Sequence, residues 1–269
     1  MARVPQARRQ FAAKDRQQAR LCAEQRPRAP PKTALGVWGK AAPTPAARRV
    51  QDARAHAANC NRSTVVLKRR GFPMMAPGQV DLLKKRGKKL GEGHFSTAVV
   101  TRWHGADAVL KAPRQKPNVG QFVKECGLLH TLEGAGGAPE PLGLCLYPLA
   151  QVISFAGPQT LAGYLEESRS SAELLRLAAD LCGKVSEVHE KGIIHNDLKF
   201  DNVIVDGRGQ IHLIDFGNAN PQGQTFCLVS KGQRCPWLGP EVFSQHLSSP
   251  AQDAFSVGFM LDTISKLMP

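Results

Sequence analysis

Positive charge is crowded into one end of this 269-residue chain: residues 1–90 hold 22 Lys/Arg against 4 Asp/Glu, whereas residues 91–269 hold 14 against 18. A single evenly packed globule does not sort its charge in this way, so two regimes are expected. Up to about Met75 the chain is rich in Ala, Arg, Gln and Pro, and Pro27, Pro30, Pro31, Pro43 and Pro45 interrupt any long helix. Such a stretch cannot bury enough apolar surface to offset its ordering entropy. Residues 1–75 are therefore expected to form a disordered basic arm. The arm suits an acidic partner or nucleic acid through its charge, and a plain solvated tail is the alternative. Its scarcity of acids also resembles a mitochondrial transit peptide, against which its length and prolines speak.

No apolar run reaches the roughly 18 residues of a membrane-spanning helix, and Met1 to Gln10 lack the apolar core of a secretory signal. The expected setting is intracellular, cytoplasmic or nuclear. Lys84, Lys85, Arg86, Lys88 and Lys89 form a basic cluster that reads either as a nuclear import signal or as the solvated start of a strand. The seven cysteines are scattered without Cys-x-x-Cys spacing, which indicates reduced thiols rather than a disulfide framework or zinc site.

From about Gln79 the pattern changes. Leu90 to Trp103 and Ala108 to Ala112 alternate like strands, with a turn at His104 to Asp107. Phe122, Cys126, Leu129 and Leu132 then recur at helical spacing. Leu142 to Leu146 and Ala150 to Phe155 read as two further strands, and Leu161 to Leu165 as a short helix. Leu174, Leu175, Leu177, Ala178, Leu181, Val185 and Val188 predict a long helix buried on one face. The order predicts an α+β chain, with a small sheet lobe carrying one helix followed by a mainly helical lobe.

Three polar constellations interrupt the apolar runs. Gly91, Glu92, Gly93, His94, Phe95 and Ser96 lie between two strand-like runs, where glycines let backbone N–H groups approach phosphate oxygens. Lys111 ends the next apolar strand and needs an anionic partner, either Glu125 on the following helix or a nucleotide phosphate. His195, Asn196, Asp197, Leu198, Lys199, Phe200, Asp201 and Asn202 form a loop between Ile193-Ile194 and Val203 to Val205. An Asp there suits orienting a hydroxyl nucleophile, a Lys steadying a phosphoryl group, and an Asn offering its carbonyl oxygen to a divalent cation. Asp215, Phe216 and Gly217 follow the apolar run Ile211 to Ile214, placing a metal-binding carboxylate beside an aromatic anchor.

Taken in order, these pieces resemble the eukaryotic protein kinase family over about Leu90 to Met268, with Gly239, Pro240 and Glu241 where the family has Ala-Pro-Glu and Asp253 to Gly258 as its buried helix after the activation segment. The resemblance implies a two-lobed fold, with an N-lobe over about 79–156 and a C-lobe over about 157–269. It implies ATP and Mg2+ as cofactors and a protein substrate. Leu90 to Ser96 would cover the phosphates, with Ala98, Val109 and Ile204 lining the adenine pocket. Lys111, fixed by Glu125, would hold the α and β phosphates. Asn202 and Asp215 would bind metal, and Asp197 would accept the substrate hydroxyl proton with Lys199 beside the γ-phosphate.

Several positions depart from the family pattern. Ser96 stands at the third glycine, and Ala98 and Val109 exchange the usual Val and Ala, which roughly keeps the pocket volume. Asn196 stands where an arginine usually reads an activation-segment phosphate, so catalysis is expected to need no such phosphate. Ile153 corresponds to the gatekeeper and Ser154 to Ala156 to the hinge, while Thr225 and Ser230 fall in the activation segment. Lys199 fits serine/threonine specificity, which is favoured, although Trp237 resembles the tyrosine-kinase-like branches. Only 16 residues follow Asp253, so the helical lobe is expected to be incomplete and Glu241 to lack the arginine that pairs with it in the family. The expected activity is γ-phosphate transfer from ATP to a protein hydroxyl. A catalytically weak or inactive pseudokinase scaffold is the alternative.

Overall fold

A computed structural model describes residues 72–92, 96–114, 119–226, 235–244 and 246–268. The basic arm, apart from residues 72–75, lies outside these residues, as do Gly93, His94, Phe95 and Ser230.

The sheet lobe opens earlier than the sequence boundary suggests. Phe72 packs with Phe122, Cys126 and Leu144, and Met75 with Val80, Leu110 and Cys145. The Met75 N–H donates to the Leu144 carbonyl at 2.9 Å, and the Leu144 N–H donates to Pro73 at 3.0 Å. Residues 72–75, read from the sequence as the end of the arm, therefore belong to the lobe, because two large apolar side chains there find a core to enter.

A helix that the sequence pattern did not reveal follows: α1 (Pro77–Arg86). Pro77 fits the first turn, and the Gln79 side chain accepts the Ala76 N–H at 2.8 Å. Val80 and Leu83 are its buried residues. Lys84, Lys85 and Arg86 form its last turn, where cations meet the negative end of the helix dipole. The basic cluster is thus shared between this helix end and the first strand.

Five strands make an antiparallel sheet: β1 (Lys88–Glu92), β2 (Ser96–Trp103), β3 (Ala106–Pro113), β4 (Pro141–Leu146) and β5 (Leu149–Ser154), in the order β1-β2-β3-β5-β4. Between β3 and β4 runs α2 (Val119–Leu132), whose buried face is Val119, Phe122, Glu125, Cys126, Leu128, Leu129 and Leu132. The lobe carries two helices rather than the one expected. Pro77 and Gly78, with cations through the last turn, hide the apolar spacing of α1.

A 3-10 turn at Ala135–Gly137, between α2 and β4, packs against the second lobe. Gly136 has φ of +71°, and a Cβ on it would meet Val188 at 2.5 Å. Only glycine permits that approach. Its N–H donates to Glu187 at 2.8 Å.

The second lobe holds β6 (Gln159–Thr160), α3 (Leu161–Tyr164), α4 (Ser171–Glu190), β7 (Ile193–Ile194), β8 (Val203–Val205), β9 (Ile211–Leu213), β10 (Asn220–Pro221), β11 (Thr225–Phe226), β12 (His246–Leu247) and α5 (Pro250–Ser265). Ser170 caps α4 by accepting the Glu173 N–H, and Leu174, Leu177, Leu181, Val185 and Val188 are buried at helical spacing. Leu175, expected on that face, is 58% exposed because it falls off the stripe. α4 packs on α5, β9 and the Ala135–Gly137 turn, forming the centre of the lobe. Short pairs β6-β8-β9 and β10-β7 hold the polar loops on its surface. The architecture is a two-lobed kinase-like fold. Among the described residues no helix is long and apolar enough to cross a membrane.

Candidate active site

The register of the sheet fixes the first half of the site. Ala98 pairs with Lys111, Val100 with Val109, and Val109 with Ile153. Directly opposed residues share a face, so Ala98, Val109, Lys111 and Ile153 face the same side. β1 ends at Glu92 and β2 begins at Ser96, so the glycine-containing turn joins two paired strands, with Gly91 opposite Ala98. Leu90 is 48% exposed. Ile204, on β8, is buried and lies against Gly157, just beyond β5.

Lys111 binds two carboxylates. Its Nζ lies 2.7 Å from Glu125 Oε1 on α2 and 2.6 Å from Asp215 Oδ1, 104 residues along the chain. The Lys111 and Glu125 side chains are 13% and 5% exposed, whereas Asp215 is 44% exposed. Burial pulls the Lys111 pKa down, but Asp215 and Glu125 more than offset it and hold the ammonium well above the ordinary lysine value. The Lys111 charge in turn drives Asp215 below its ordinary carboxylate range, against burial.

Asp215 has φ of +65° and opens the 3-10 turn Phe216–Asn218. Phe216 is fully buried, its ring centroid 4.6 Å from that of His195. His195 Nε2 lies 3.0 Å from the Ile214 carbonyl, joining the two polar loops.

The second half of the site is organised by a residue that sequence reasoning placed only within a helix. Asp253, wholly buried on α5, accepts the His195 N–H and the Asn196 N–H, each at 2.8 Å, and its Oδ2 lies 2.8 Å from His189 Nε2. An acid in the first turn of an apolar helix was the available signal. Its target, a pair of backbone amides, leaves no mark in sequence. Asn196 sits at φ of +62°, a region asparagine tolerates, with its Nδ2 3.3 Å from Asn218 O and 3.4 Å from Ser248 Oγ.

Asp197 follows, with its side chain 15% exposed. Its Oδ2 accepts from Asn202 Nδ2 at 3.3 Å and Asn218 Nδ2 at 3.4 Å, with Lys199 Nζ at 3.5 Å. Burial raises the Asp197 pKa above the ordinary carboxylate range, opposed by the charges of Lys199 and His195. Asn202 also donates to the Asp197 carbonyl at 2.8 Å. This leaves its own side-chain oxygen available, and one amide oxygen with one carboxylate fits a magnesium ion that completes its shell with water and phosphate oxygens. Lys199 Nζ also stands 5.9 Å from the Trp237 ring centroid, within cation–π range.

The described residues thus join Lys111 to Glu125 and Asp215, and Asp197 to Lys199 and Asn202. Glu241 is partly exposed, and among the described residues its carboxylate has no ion-pair partner. A separate groove of about 540 Å³ lies between α1 and β2–β3, lined by Leu82, Arg86, Val100 and Trp103 among others, and takes in none of Lys111, Glu125, Asp197, Lys199, Asn202 or Asp215.

Comparison with known proteins agrees with this arrangement. Residues 148–267 match the family model described as protein kinase domain. The chain is 25% identical over 198 residues to the serine/threonine-protein kinase CTR1 of Arabidopsis thaliana, covering 67% of this chain and 24% of that protein. It is 30% identical over 156 residues to the serine/threonine-protein kinase STY46 of the same plant, covering 57% and 24%. Mitogen-activated protein kinase kinase kinase 17, also from Arabidopsis thaliana, is 25% identical over 183 residues, covering 64% and 49%. Residues 148–267 are thus similar to protein kinase domains. The matched region spans about a quarter of the length of the first two relatives.

Proposed function

We propose that this chain transfers the γ-phosphate of ATP, with Mg2+, to a serine or threonine hydroxyl of a protein substrate. The observation that carries the reading is Lys111, held at 2.7 Å by Glu125 from the sheet lobe and at 2.6 Å by Asp215 from the helical lobe. That tie supports the reading, because it holds a cation between carboxylates of the two lobes, and a phosphate chain needs such a charge.

The residues divide the work by chemistry. Backbone N–H groups of the turn between β1 and β2 cover the phosphates, and Ala98, Val109 and Ile204 provide an apolar wall for the base. Lys111 neutralises phosphate oxygens. Asp215 and Asn202 hold the cation, whose charge offsets what builds up on the γ oxygens. Asp197 orients the attacking hydroxyl and takes its proton, with Lys199 steadying the transferred group. Positioning and fixed charge supply the rate, since little covalent chemistry falls to the protein. The serine/threonine preference is supported by Lys199 beside Asp197 and by the names of the relatives.

The test is γ-phosphate transfer by the purified protein with Mg2+ and a generic basic protein substrate, run beside Asp197→Ala and Lys111→Met. The expected result is transfer by the wild type and a loss of about 10²-fold or more in each variant. Equal transfer by all three marks a contaminant. ATP binding without transfer establishes the scaffold reading instead.

A further inference from the structure

The two oxygens of the Asp197 carboxylate are not equivalent. Oδ2 receives Asn202 Nδ2 at 3.3 Å and Asn218 Nδ2 at 3.4 Å, and Lys199 Nζ lies 3.5 Å away. No hydrogen bond reaches Oδ1 among the described residues. One oxygen is thus anchored by two amide donors, with an ammonium nearby, while the other keeps its lone pairs.

Asn218 is itself held. It closes the 3-10 turn Phe216–Asn218, where the Ala219 N–H donates to Phe216 at 3.1 Å, and its carbonyl accepts the Asn196 side chain at 3.3 Å. Asn196 is in turn fixed through its N–H on Asp253, 2.8 Å away. A chain of contacts therefore runs from the buried Asp253 of α5, through Asn196, to an amide that donates to Asp197. Fully determined networks of this kind limit the orientations a carboxylate can take.

We propose that Asn218 is a positioning residue for Asp197, and that with Asn202 it locks Oδ2 so that Oδ1 is the oxygen presented to the substrate hydroxyl. The inference rests on the kinase reading above. The metal carboxylate and the proton acceptor are thereby aligned by one short turn: Asp215 opens it and Asn218 closes it. Loss of the Asn218 amide lets the Asp197 carboxylate rotate about its last bond, which lowers the fraction of bound substrate held in the attacking geometry. ATP binding, which depends on Lys111 and the sheet lobe, is unaffected.

The experiment compares wild type, Asn218→Ala and Asn218→Leu, the second roughly keeping the volume while removing the donor without adding charge. Each is measured in the full chain for kcat, KM for ATP and thermal midpoint, and each is repeated in an Asp197→Asn background. The expected result is a fall in kcat of about 10-fold for both single variants, with KM for ATP and the thermal midpoint unchanged. In the Asp197→Asn background neither substitution lowers the residual rate further, because a residue acting through Asp197 has nothing left to aim. An unchanged kcat in an active wild-type comparison overturns the inference while leaving the kinase reading intact. A loss that persists in the Asp197→Asn background also overturns it. A wild type that binds ATP and transfers nothing removes the kinase reading, and this inference with it.

Discussion

The Asp253 carboxylate accepts the backbone N–H of His195 at 2.8 Å across 58 residues of sequence. Its other oxygen takes the neighbouring Asn196 N–H at the same distance, so the loop carrying Asp197 hangs from a side chain of α5. Replacing Asp253 with Ala strands two buried donors, and hydrogen bonds to a charged group are worth about 1.5–3 kcal/mol each. The expected loss is about 3 kcal/mol or more, read as a fall in thermal midpoint of roughly 6–12 °C. An unchanged midpoint would show that water replaces the carboxylate.

The Asp197 carboxyl is raised by burial, with Lys199 and His195 opposing. A folded-state pKa above the unfolded one means the native protein holds a proton the unfolded chain has lost. That stability is fully present below the unfolded value and disappears as pH rises through the folded value. At neutral pH the ionised Asp197 is therefore a net cost. Asp197→Asn is expected to cut transfer by about 10²-fold, leaving a residual rate, yet raise the thermal midpoint near pH 7, with the gain shrinking towards pH 4. A midpoint difference that does not change with pH would contradict this sign.

Glu125 is 5% exposed and holds Lys111 in place. Glu125→Gln keeps the shape and removes the charge, so Lys111 is left to Asp215 alone. ATP KM is expected to rise by about 10-fold, with a smaller change in kcat at saturating ATP. The reverse split, kcat falling with KM fixed, would place the role of Glu125 in the chemical step.

Asn196 is neutral and buried, and its amide is already engaged by Asn218 and Ser248. No guanidinium stands at this position to require an activation-segment phosphate. Treatment with a phosphatase, followed by its removal, is expected to leave the transfer rate within about twofold. Loss of activity that returns on rephosphorylation would show that another cation reads the phosphate.

Burial, reinforced by the Glu125 charge, pushes the Cys126 thiol well above its ordinary pKa, and the thiol donates to Gln151 Oε1 at 2.8 Å. Cys182 is exposed on α4. Alkylation followed by peptide mapping is expected to label Cys182 in the native protein and Cys126 only after unfolding, because the thiolate is the reactive form. Equal labelling would mean that the sheet lobe opens freely.

The periodic elements were legible in the sequence because each carries its own signal. The alternation of β2 and β3, the stripe from Leu174 to Val188 and the apolar anchors at Ile193-Ile194 and Val203 to Val205 reflect faces that must be buried wherever the chain goes. The polar constellations were legible through residue type and order. The α1 helix was not, since its two buried residues, Val80 and Leu83, sit among cations and follow Pro77 and Gly78. Phe72 and Met75 looked like the end of a basic tail until a core existed to receive them.

The sequence alone determined which chemical groups this protein carries and in which local frames: a lysine ending a strand, a carboxylate and two amides on short loops, an aromatic beside a metal-type aspartate. Tertiary structure decided which of them meet. Lys111 finds Asp215 across 104 residues, and Asp253 finds the His195 and Asn196 amides across more than 50. Asn218 selects one oxygen of Asp197. Periodicity reports only whether a side chain is buried, whereas a hydrogen bond between distant segments depends on ångström-scale placement that only packing of the whole lobe supplies.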